Sequence, residues 1–305
     1  LICDRVNKKN FIKEYFLMCG VVGYITNKNN VTRNLINLKK MSSSLVHRGP
    51  DSGEVISYID KIYLAHRRLS IIDVSSDGSQ PMNSSSNRYI ISFNGEIYNH
   101  LHLRKLIEKN KNIKWKSNSD TETLVELFDY FGIEETLKKI SGMFSIALLD
   151  KKEKKLFLIR DRMGEKPMYF GYDSNIFFFG SELKAFKKNE DIKLSLNQYA
   201  LSKYFKYGYV PAPFSIYKNV FKLEPAHYLE IDFDNFNESK YQLKRYWNKD
   251  NLKDFDYNYK DVKNNTEKLL LESVKEQLIS DVPLGAFLSS GIDSSLIVSM
   301  MQKIS

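Results

Sequence analysis

The alternation of apolar and polar positions divides the chain into segments of different kinds. Positions 19–73 carry short apolar runs broken by Gly, Pro, Asn and Asp, a pattern typical of strands and turns. Another short strand is predicted at 90–93. Two helices are expected next, at about 99–109 and 121–131, the second with apolar residues at helical spacing.

Four further strands are predicted after these helices, at 143–149, 156–159, 168–172 and 176–179. Their connections have the lengths of hairpin loops, and the first, at 150–154, is a charged turn. Runs of strands with helices grouped between them predict a layered α+β domain with antiparallel sheets.

The pattern changes after about residue 246. Positions 248–259 are polar and aromatic without clear periodicity, which indicates a linker. The elements predicted beyond it are a helix at 260–279, a buried strand at 285–288, a loop at 289–293 and a helix at 294–301. A strand, a loop and a helix in this order form the start of a βα unit, which is too little to complete a doubly wound domain.

Composition excludes several classes of protein. The 305 residues are 42% hydrophobic and 13% aromatic, which is enough for packed cores and atypical of disordered chains. No run of ~18 uncharged apolar residues occurs, so no transmembrane helix is expected. Positions 11–17 are too short and too charged for a secretory signal core, and we expect a cytoplasmic protein. Cys3 and Cys19 cannot make a disulfide framework, and no Cys/His spacing predicts a metal site.

The formal net charge of +9 could indicate nucleic-acid binding. The lysines are nevertheless scattered and interleaved with acids, as at 151–155. We interpret them as a solvated surface and expect neither nucleic acid nor a membrane as a partner.

A cysteine directly follows a methionine in Met18-Cys19-Gly20, at the head of a predicted strand. Methionine aminopeptidase removes a leading Met before a small residue, which would leave Cys19 with a free α-amine. The unperturbed pKa of such an amine is about 7.7–8.0, so near neutrality a large share of it can take the thiol proton. Alone the triplet means little, because a lone cysteine is usually buried and inert.

The triplet opens an ordered series of motifs. They are HRGPD at 47–51, LAHRRLSIID at 64–73, QPM at 80–82, NGEIYN at 94–99, SDTE at 119–122, GMF at 142–144, RDRMGEKP at 160–167, SELKA at 181–185, SDVP at 280–283 and SSGIDSS at 289–295. From Cys19 to Ser305 the series resembles the class II glutamine amidotransferases, specifically asparagine synthetases of the glutamine-hydrolysing type.

The resemblance implies a fold and a division into domains. The expected fold is α+β: a four-layer αββα glutaminase domain of the N-terminal-nucleophile type with antiparallel sheets, then the truncated start of an α/β ATP-pyrophosphatase domain. We expect the amidotransferase domain at 19–245, a linker at 246–259 and the first part of the synthetase domain at 260–305. Because the family's cysteine is N-terminal, residues 1–18 are expected to be absent from the mature protein, through a start at Met18 or through propeptide cleavage.

The resemblance also implies a glutamine site in which Cys19 is the nucleophile. Arg68 would grip the α-carboxylate, which a planar guanidinium can do bidentately. Asp120 would receive the α-ammonium. Judged by residue type alone, Arg68 could be a surface arginine and Asp120 a helix N-cap. The full set implied for glutamine is Arg68, Leu69, Ser70, Ile71, Ile72, Asn94, Gly95, Glu96 and Asp120.

Asn94 and Gly95 match the family's oxyanion hole, in which an Asn side-chain N–H and a Gly backbone N–H meet the developing charge. The catalytic set is then Cys19, Asn94 and Gly95. In isolation Asn-Gly would indicate a plain turn, and the residues that follow favour the oxyanion hole. His47 or His66 could form a Cys–His dyad, but structural roles are preferred because the α-amine supplies the base.

The motif at 289–295 resembles the pyrophosphate loop of ATP-pyrophosphatases. A small-residue loop before a helix presents N–H groups and a partial charge of about 0.5 to phosphate. The family more often has Gly where Ser290 stands, and a Ser-rich loop with a helix-capping Asp is the alternative. The residues implied for ATP are Leu288, Ser289, Ser290, Gly291, Asp293 and Ser294.

In the complete protein, ammonia from glutamine would pass to aspartate activated by ATP and Mg²⁺, giving asparagine, glutamate, AMP and pyrophosphate. ATP and Mg²⁺ belong to the complete enzyme, the glutaminase half needs no cofactor, and a homodimer is one expected assembly. An amidotransferase acting on another carboxylate, such as a cell-envelope sugar acid, stays open. A non-catalytic truncated homologue that binds a partner is the third hypothesis.

Overall fold

A computed structural model of the chain describes residues 2–3, 18–236, 240–249 and 258–305. Positions 11–17, and 250–257 within the predicted linker, lie outside the described residues. The chain divides into two compact units. The larger comprises Phe16–Ser70 and Ser75–Trp247, and the smaller comprises Leu1–Tyr15, Ile71–Val74 and Asn248–Ser305.

The described residues form strands, α-helices and one short 3₁₀ turn at Ser76–Gly78. The strands are β1 (Ile2–Cys3), β2 (Gly20–Thr26), β3 (Ser52–Tyr58), β4 (Ile62–Arg68), β5 (Met82–Asn83), β6 (Tyr89–Ile97), β7 (Gly142–Asp150), β8 (Lys155–Arg160), β9 (Tyr169–Asp173), β10 (Ile176–Gly180), β11 (Val220–Lys222), β12 (His227–Asp232), β13 (Tyr241–Arg245) and β14 (Leu284–Gly285). The helices are α1 (Val31–Ser43), α2 (His100–Glu108), α3 (Asp120–Phe131), α4 (Ile133–Lys139), α5 (Leu183–Phe186), α6 (Gln198–Tyr207), α7 (Tyr259–Glu276) and α8 (Ile292–Ile304).

Two six-stranded antiparallel sheets build the larger unit. The first has the order β11-β9-β10-β2-β4-β3, and the second has the order β13-β12-β8-β7-β6-β5. The four consecutive strands predicted between 143 and 179 are confirmed as the hairpins β7–β8 and β9–β10. The two hairpins lie in different sheets.

Apolar side chains fill three layers of this unit. Leu158 and Phe179 lie in the core between the two sheets. Leu124 packs with the apolar face that the second sheet turns toward α2, α3 and α4. Leu38 and Phe186 belong to the layer between the first sheet and α1 and α5. The order helix, sheet, sheet, helix confirms the predicted four-layer αββα architecture.

Strand β7 shows why its sequence is apolar throughout. Ala147 and Leu149 point to the core between the sheets, whereas Ile146 and Leu148 point to the helices. Successive side chains of a strand alternate between its faces, and here both faces are covered.

The prediction of strands and turns alone across 19–73 is wrong for α1. Helix α1 hides two asparagines on its buried face, Asn34 and Asn37. The Asn34 amide donates to the carbonyl of Lys28 at 3.0 Å and to the hydroxyl of Tyr63 at 3.1 Å. Polar residues at these positions obscure the apolar stripe that normally indicates a helix. Helix α4 was not predicted either.

The smaller unit contains α7, α8 and the pair β1–β14, and both predicted helices are confirmed. The predicted buried strand at 285–288 is wrong. Strand β14 covers only Leu284–Gly285, and Phe287 and Leu288 are 54% and 64% exposed. Strand β14 has two residues, and β1 is its only partner among the described residues. So short a pair gives the side chains that follow it little cover from solvent. Within the described part of the chain, no helix combines the length and apolar character needed to cross a membrane.

Candidate active site

Cys19 lies directly before β2, where β2 runs antiparallel to β4. Its Sγ is 3.4 Å from the backbone N of Leu69 and 3.6 Å from the Leu69 carbonyl oxygen. The Arg48 Nε–H donates to the Cys19 carbonyl at 3.0 Å, and Arg48 Nη1 pairs with Glu182 at 2.9 Å. These contacts fix the cysteine backbone at the head of the strand.

Burial raises the pKa of the Cys19 thiol to about 11. The Leu69 hydrogen bond opposes this rise, the Asp120 charge adds to it, and the charges of Arg68 and Lys166 oppose it. At pH 7 a thiol with this pKa is a thiolate in only about one molecule in 10⁴. A thiol of this kind could act as a nucleophile only with a base in direct contact with it.

Neither histidine of the Cys–His hypothesis is directed at the thiol by its hydrogen bonds. His47 Nε2 lies 2.9 Å from Glu182 Oε1. His66 Nε2 lies 2.9 Å from the Phe93 carbonyl oxygen, so it is the donor. Burial lowers the pKa of His66 to about 3, which keeps the ring neutral. These contacts favour structural roles for both rings.

Arg68 ends strand β4 and is 6% exposed, so the alternative of a surface arginine is wrong. Its Nη1 donates to the Ser75 carbonyl at 2.6 Å. After the strand, the Ser70 N–H donates to Asp51 Oδ2 at 2.8 Å, which fixes the course of the chain beyond Leu69. The remaining residues predicted in this segment, Ile71 and Ile72, belong to the smaller unit.

Asn94 and Gly95 lie inside β6, opposite Ser145 and Phe144 of β7, so the alternative of a plain turn is wrong. Asn94 is buried, and its Nδ2 is 3.5 Å from the Ser145 hydroxyl. A Cβ on Gly95 would collide with the Met143 carbonyl and the Phe144 Cα. Only glycine therefore fits at position 95. The side-chain N–H of Asn94 and the backbone N–H of Gly95 are candidate donors to an oxyanion.

Asp120 is the first residue of α3, and the residue that caps this helix is Ser119. The alternative of Asp120 as the N-cap is therefore wrong. The Ile97 N–H donates to Asp120 Oδ2 at 3.0 Å. Burial raises the pKa of Asp120 to about 7, the Ile97 hydrogen bond opposes the rise, and the nearby Glu96 carboxylate adds to it. A buried carboxyl of this kind is suited to accept a cationic group.

Lys166 is buried beside the cysteine, with Nζ 3.0 Å from the Met18 Sδ. Burial lowers its pKa, while the Glu96 and Glu165 carboxylates favour its charged form. Asp161 holds the surrounding loop by accepting backbone N–H groups, including that of Lys166 at 2.9 Å. Neither Lys166 nor Arg48 received a role from the sequence, although both lie in motifs that carry the resemblance.

In the smaller unit, Gly291 is the N-cap of α8 and has no side chain to cap it. Asp293 lies in the first turn, so the alternative of a capping aspartate is wrong. The hydroxyls of Ser289 and Ser294 are 2.8 Å apart, and the Gly291 N–H donates to Ser289 Oγ at 3.3 Å. Five of the six residues predicted for ATP are exposed and Ser294 is half-buried; the five are Leu288, Ser289, Ser290, Gly291 and Asp293. Across the described residues, no three His, Cys, Asp or Glu side chains are grouped to hold a metal ion.

Curated relatives match most of this chain and about half of their own length. A Methanocaldococcus jannaschii protein is 38% identical over 94% of this chain and 57% of its own length. Asparagine synthetase [glutamine-hydrolyzing] 3 of Bacillus subtilis is 34% identical, over 93% of this chain and 45% of its own. Asparagine synthetase B [glutamine-hydrolyzing] of Escherichia coli is 31% identical, over 94% of this chain and 45% of its own.

A solved structure shares the fold. Glutamine phosphoribosylpyrophosphate amidotransferase from B. subtilis, complexed with ADP and GMP, superimposes with a TM-score of 0.53 at 18% identity. The match covers 75% of this chain and 49% of that one. Residues 265–305 match the asparagine synthase family model, and residues 18–247 match the model of the glutamine amidotransferase domain. Since the second match spans most of the sequence, and agrees with the resemblance seen in the motifs, the chain belongs to the glutamine amidotransferase family.

Proposed function

We propose that this chain carries the glutamine-hydrolysing site of a glutamine-dependent asparagine synthetase. The observation that carries the proposal is the setting of Cys19. Its half-buried thiol lies 3.4 Å from the Leu69 backbone N, and the charges of the buried residues Arg68, Asp120 and Lys166 act on it. Glutamine presents three groups to the protein. Its α-carboxylate matches Arg68, its α-ammonium matches Asp120, and its side-chain amide matches the nucleophile Cys19. The names of the B. subtilis and E. coli relatives support aspartate as the acceptor, rather than another carboxylate.

In the proposed reaction the base is the α-amine of Cys19 itself, in a protein whose first residue is Cys19. This amine takes the thiol proton, and the sulfur attacks the amide carbon of glutamine. Asn94 and Gly95 donate hydrogen bonds to the oxygen as it becomes negative. The protonated amine then gives its proton to the leaving nitrogen, so that ammonia departs and a glutamyl thioester remains. Water, deprotonated by the same amine, releases glutamate and restores the thiol.

Arg68 and Asp120 would hold the two α-substituents of glutamine during these steps. The guanidinium binds the carboxylate bidentately, and Asp120 in its ionised form accepts the ammonium. Leu69, Ser70 and Glu96 adjoin these groups in the chain and would complete the pocket, with Ile71 and Ile72 following in sequence.

The remaining assignments concern the complete enzyme. We propose the domain bounds 19–245 and 260–305 and a cytoplasmic location, with ATP, Mg²⁺ and aspartate as further substrates or ions. The segment 289–294 leads into the N-terminus of α8 and carries serine hydroxyls, which suits it to phosphate oxygens. Mg²⁺ would be bound chiefly through the phosphates of ATP. We also propose that the complete enzyme forms a homodimer and that nucleic acid is not among its partners.

The decisive experiment measures ammonia release from glutamine by a form that begins at Cys19. Cys19→Ala should lower the rate by at least about 10³-fold, because the covalent route is lost. Ser42→Ala, a change on the buried face of α1 at a residue with no proposed role in the site, is the control for handling and folding. Ammonia release that persists in Cys19→Ala would place the nucleophile elsewhere and overturn the proposal.

A further inference from the structure

The three binding groups of the proposed glutamine site lie on three separate elements. Arg68 ends β4 in the first sheet, Asn94 lies in β6 of the second sheet, and Asp120 begins α3. Their spacing therefore depends on how one sheet, the other sheet and a helix are held together. A binding site needs its groups placed to within about 0.5 Å, so this spacing requires specific support.

A continuous series of buried hydrogen bonds joins the three elements. The His66 Nε2–H donates to the Phe93 carbonyl at 2.9 Å. The Phe93 N–H donates to Gln80 Oε1 at 2.6 Å, and Gln80 Nε2 donates to the Thr121 hydroxyl at 3.0 Å. All four residues are buried. His66 is two residues from Arg68, Phe93 adjoins Asn94, and Thr121 adjoins Asp120.

The edge of β6 explains why side chains, rather than a strand, make these bonds. Strand β5 pairs with β6 through Met82 opposite Ile91 and Asn83 opposite Ile90. Beyond that point the N–H and C=O of Phe93 are bound by the side chains of Gln80 and His66. A buried backbone group must have a partner, so neither side chain can be lost without leaving one unsatisfied.

We infer that His66 and Gln80 are positioning residues for glutamine recognition: His66 sets the distance from Arg68 to the oxyanion pair, and Gln80 sets the distance from that pair to Asp120. The inference rests on the proposed function, because it assigns the spacing to the α-carboxylate and α-ammonium of glutamine. Neither residue touches the reacting atoms. Their contribution is selectivity for a substrate that carries both α-groups at once.

The test uses three amides and variants of the form that begins at Cys19. Glutaric acid monoamide lacks the α-ammonium, and γ-aminobutyramide lacks the carboxylate. Thr121→Val removes only the hydroxyl that Gln80 binds, so kcat/KM for glutamine should fall about tenfold, mainly through KM. With glutaric acid monoamide the same variant should lose less than about twofold, because Asp120 has no ammonium to hold. Thr121→Ser, which keeps the hydroxyl, should restore the parent value.

Thr123→Val is the matched control for Thr121→Val. It removes another buried hydroxyl of α3, which Arg104 Nε binds at 3.0 Å and Gln80 does not. It should lower stability by a similar amount without changing the ratio of kcat/KM for glutamine to kcat/KM for glutaric acid monoamide.

His66→Leu should show the opposite selectivity. The kcat/KM of this variant should fall about tenfold with glutamine and with glutaric acid monoamide. It should fall less than about twofold with γ-aminobutyramide, which has no carboxylate for Arg68 to bind. If Thr121→Val and His66→Leu reduce activity on all three amides by the same factor, the residues only support the fold and the inference is wrong. A parent protein that hydrolyses none of the amides would contradict the proposed function instead.

Discussion

Replacing Asp120 by asparagine should stabilise the ligand-free protein at high pH while weakening its hold on glutamine. Burial is the main reason that the pKa of this carboxyl is raised from 3.8 to about 7, and the Ile97 hydrogen bond opposes the rise. The folded state therefore keeps a proton on Asp120 at pH values where the unfolded chain has lost it. A raised folded pKa means that stability is highest below about pH 4 and declines as the pH rises through about 7.

The size of the effect follows from the shift. A difference of about three pKa units corresponds to about 4 kcal/mol in the free energy of unfolding above pH 7. The asparagine side chain would carry no charge, and its oxygen could still accept the Ile97 N–H. We therefore expect Asp120→Asn to raise the free energy of unfolding at about pH 8 by up to about 4 kcal/mol, and to change it little near pH 4.

Urea unfolding followed by circular dichroism, at about pH 4, 6 and 8 without glutamine, measures this difference. Asp150→Asn is the matched control. Burial raises the pKa of Asp150, but the hydrogen bonds from Arg88 and from the Glu153 N–H, together with the Arg88 charge, hold that pKa below its usual range. The control should therefore lose stability at high pH. An Asp120→Asn protein that is less stable than its parent at pH 8, or that differs by the same amount at every pH, would refute the reasoning.

Three further outcomes are expected. Gly95→Ala should lower the free energy of unfolding by about 2 kcal/mol or more, because its Cβ meets the Met143 carbonyl; an unchanged melting temperature would contradict this. Lys166→Met should raise the pKa of the Cys19 thiol further, seen as slower alkylation at fixed pH, while Lys166→Arg should not; equal rates in both variants would show that the charge is unimportant. A form that retains Met18 should be nearly inert, since its amide nitrogen is not basic, and mass spectrometry of native protein should find Cys19 first; full activity with Met18 present would instead require another base, such as His47.

Much of the fold was predictable because burial determines pattern. Strands β7 and β10 carry apolar residues on both faces, as strands covered on both sides must. Helix α1 escaped prediction because Asn34 and Asn37 occupy its buried face, bonded to groups far along the chain. The layered class followed from the order of elements, but which hairpin entered which sheet depends on contacts that no local pattern contains. The domain bounds remain predictions.

For the candidate site, the sequence proposes residues only where residue type and motif coincide, and these assignments stay predictions. The resemblance of the motifs implies Arg68, Asn94 and Asp120, and a cation, an amide donor and a carboxylate are residue types that suit a glutamine substrate. Gln80 lies in one of the motifs, but the sequence indicates no role for it, since its partners Phe93 and Thr121 lie 13 and 41 residues away. Side chains that bind the backbone of a distant strand leave no periodic signal in the sequence.

Burial moves both Cys19 and Asp120 away from the protonation states that the proposed reaction requires. The thiol, with a pKa near 11, resists ionisation, and the carboxyl, with a pKa near 7, is only partly ionised at neutral pH. An ammonium bound at Asp120 would favour the ionised carboxylate, which lowers its pKa and offsets the cost of its burial. That ionised carboxylate would oppose thiolate formation, so the α-amine must accept the thiol proton directly and Lys166 and Arg68 must balance the negative charge. A substrate that lacks the ammonium would leave Asp120 partly protonated and gain nothing from it, which ties recognition of the α-groups to the chemistry at the amide.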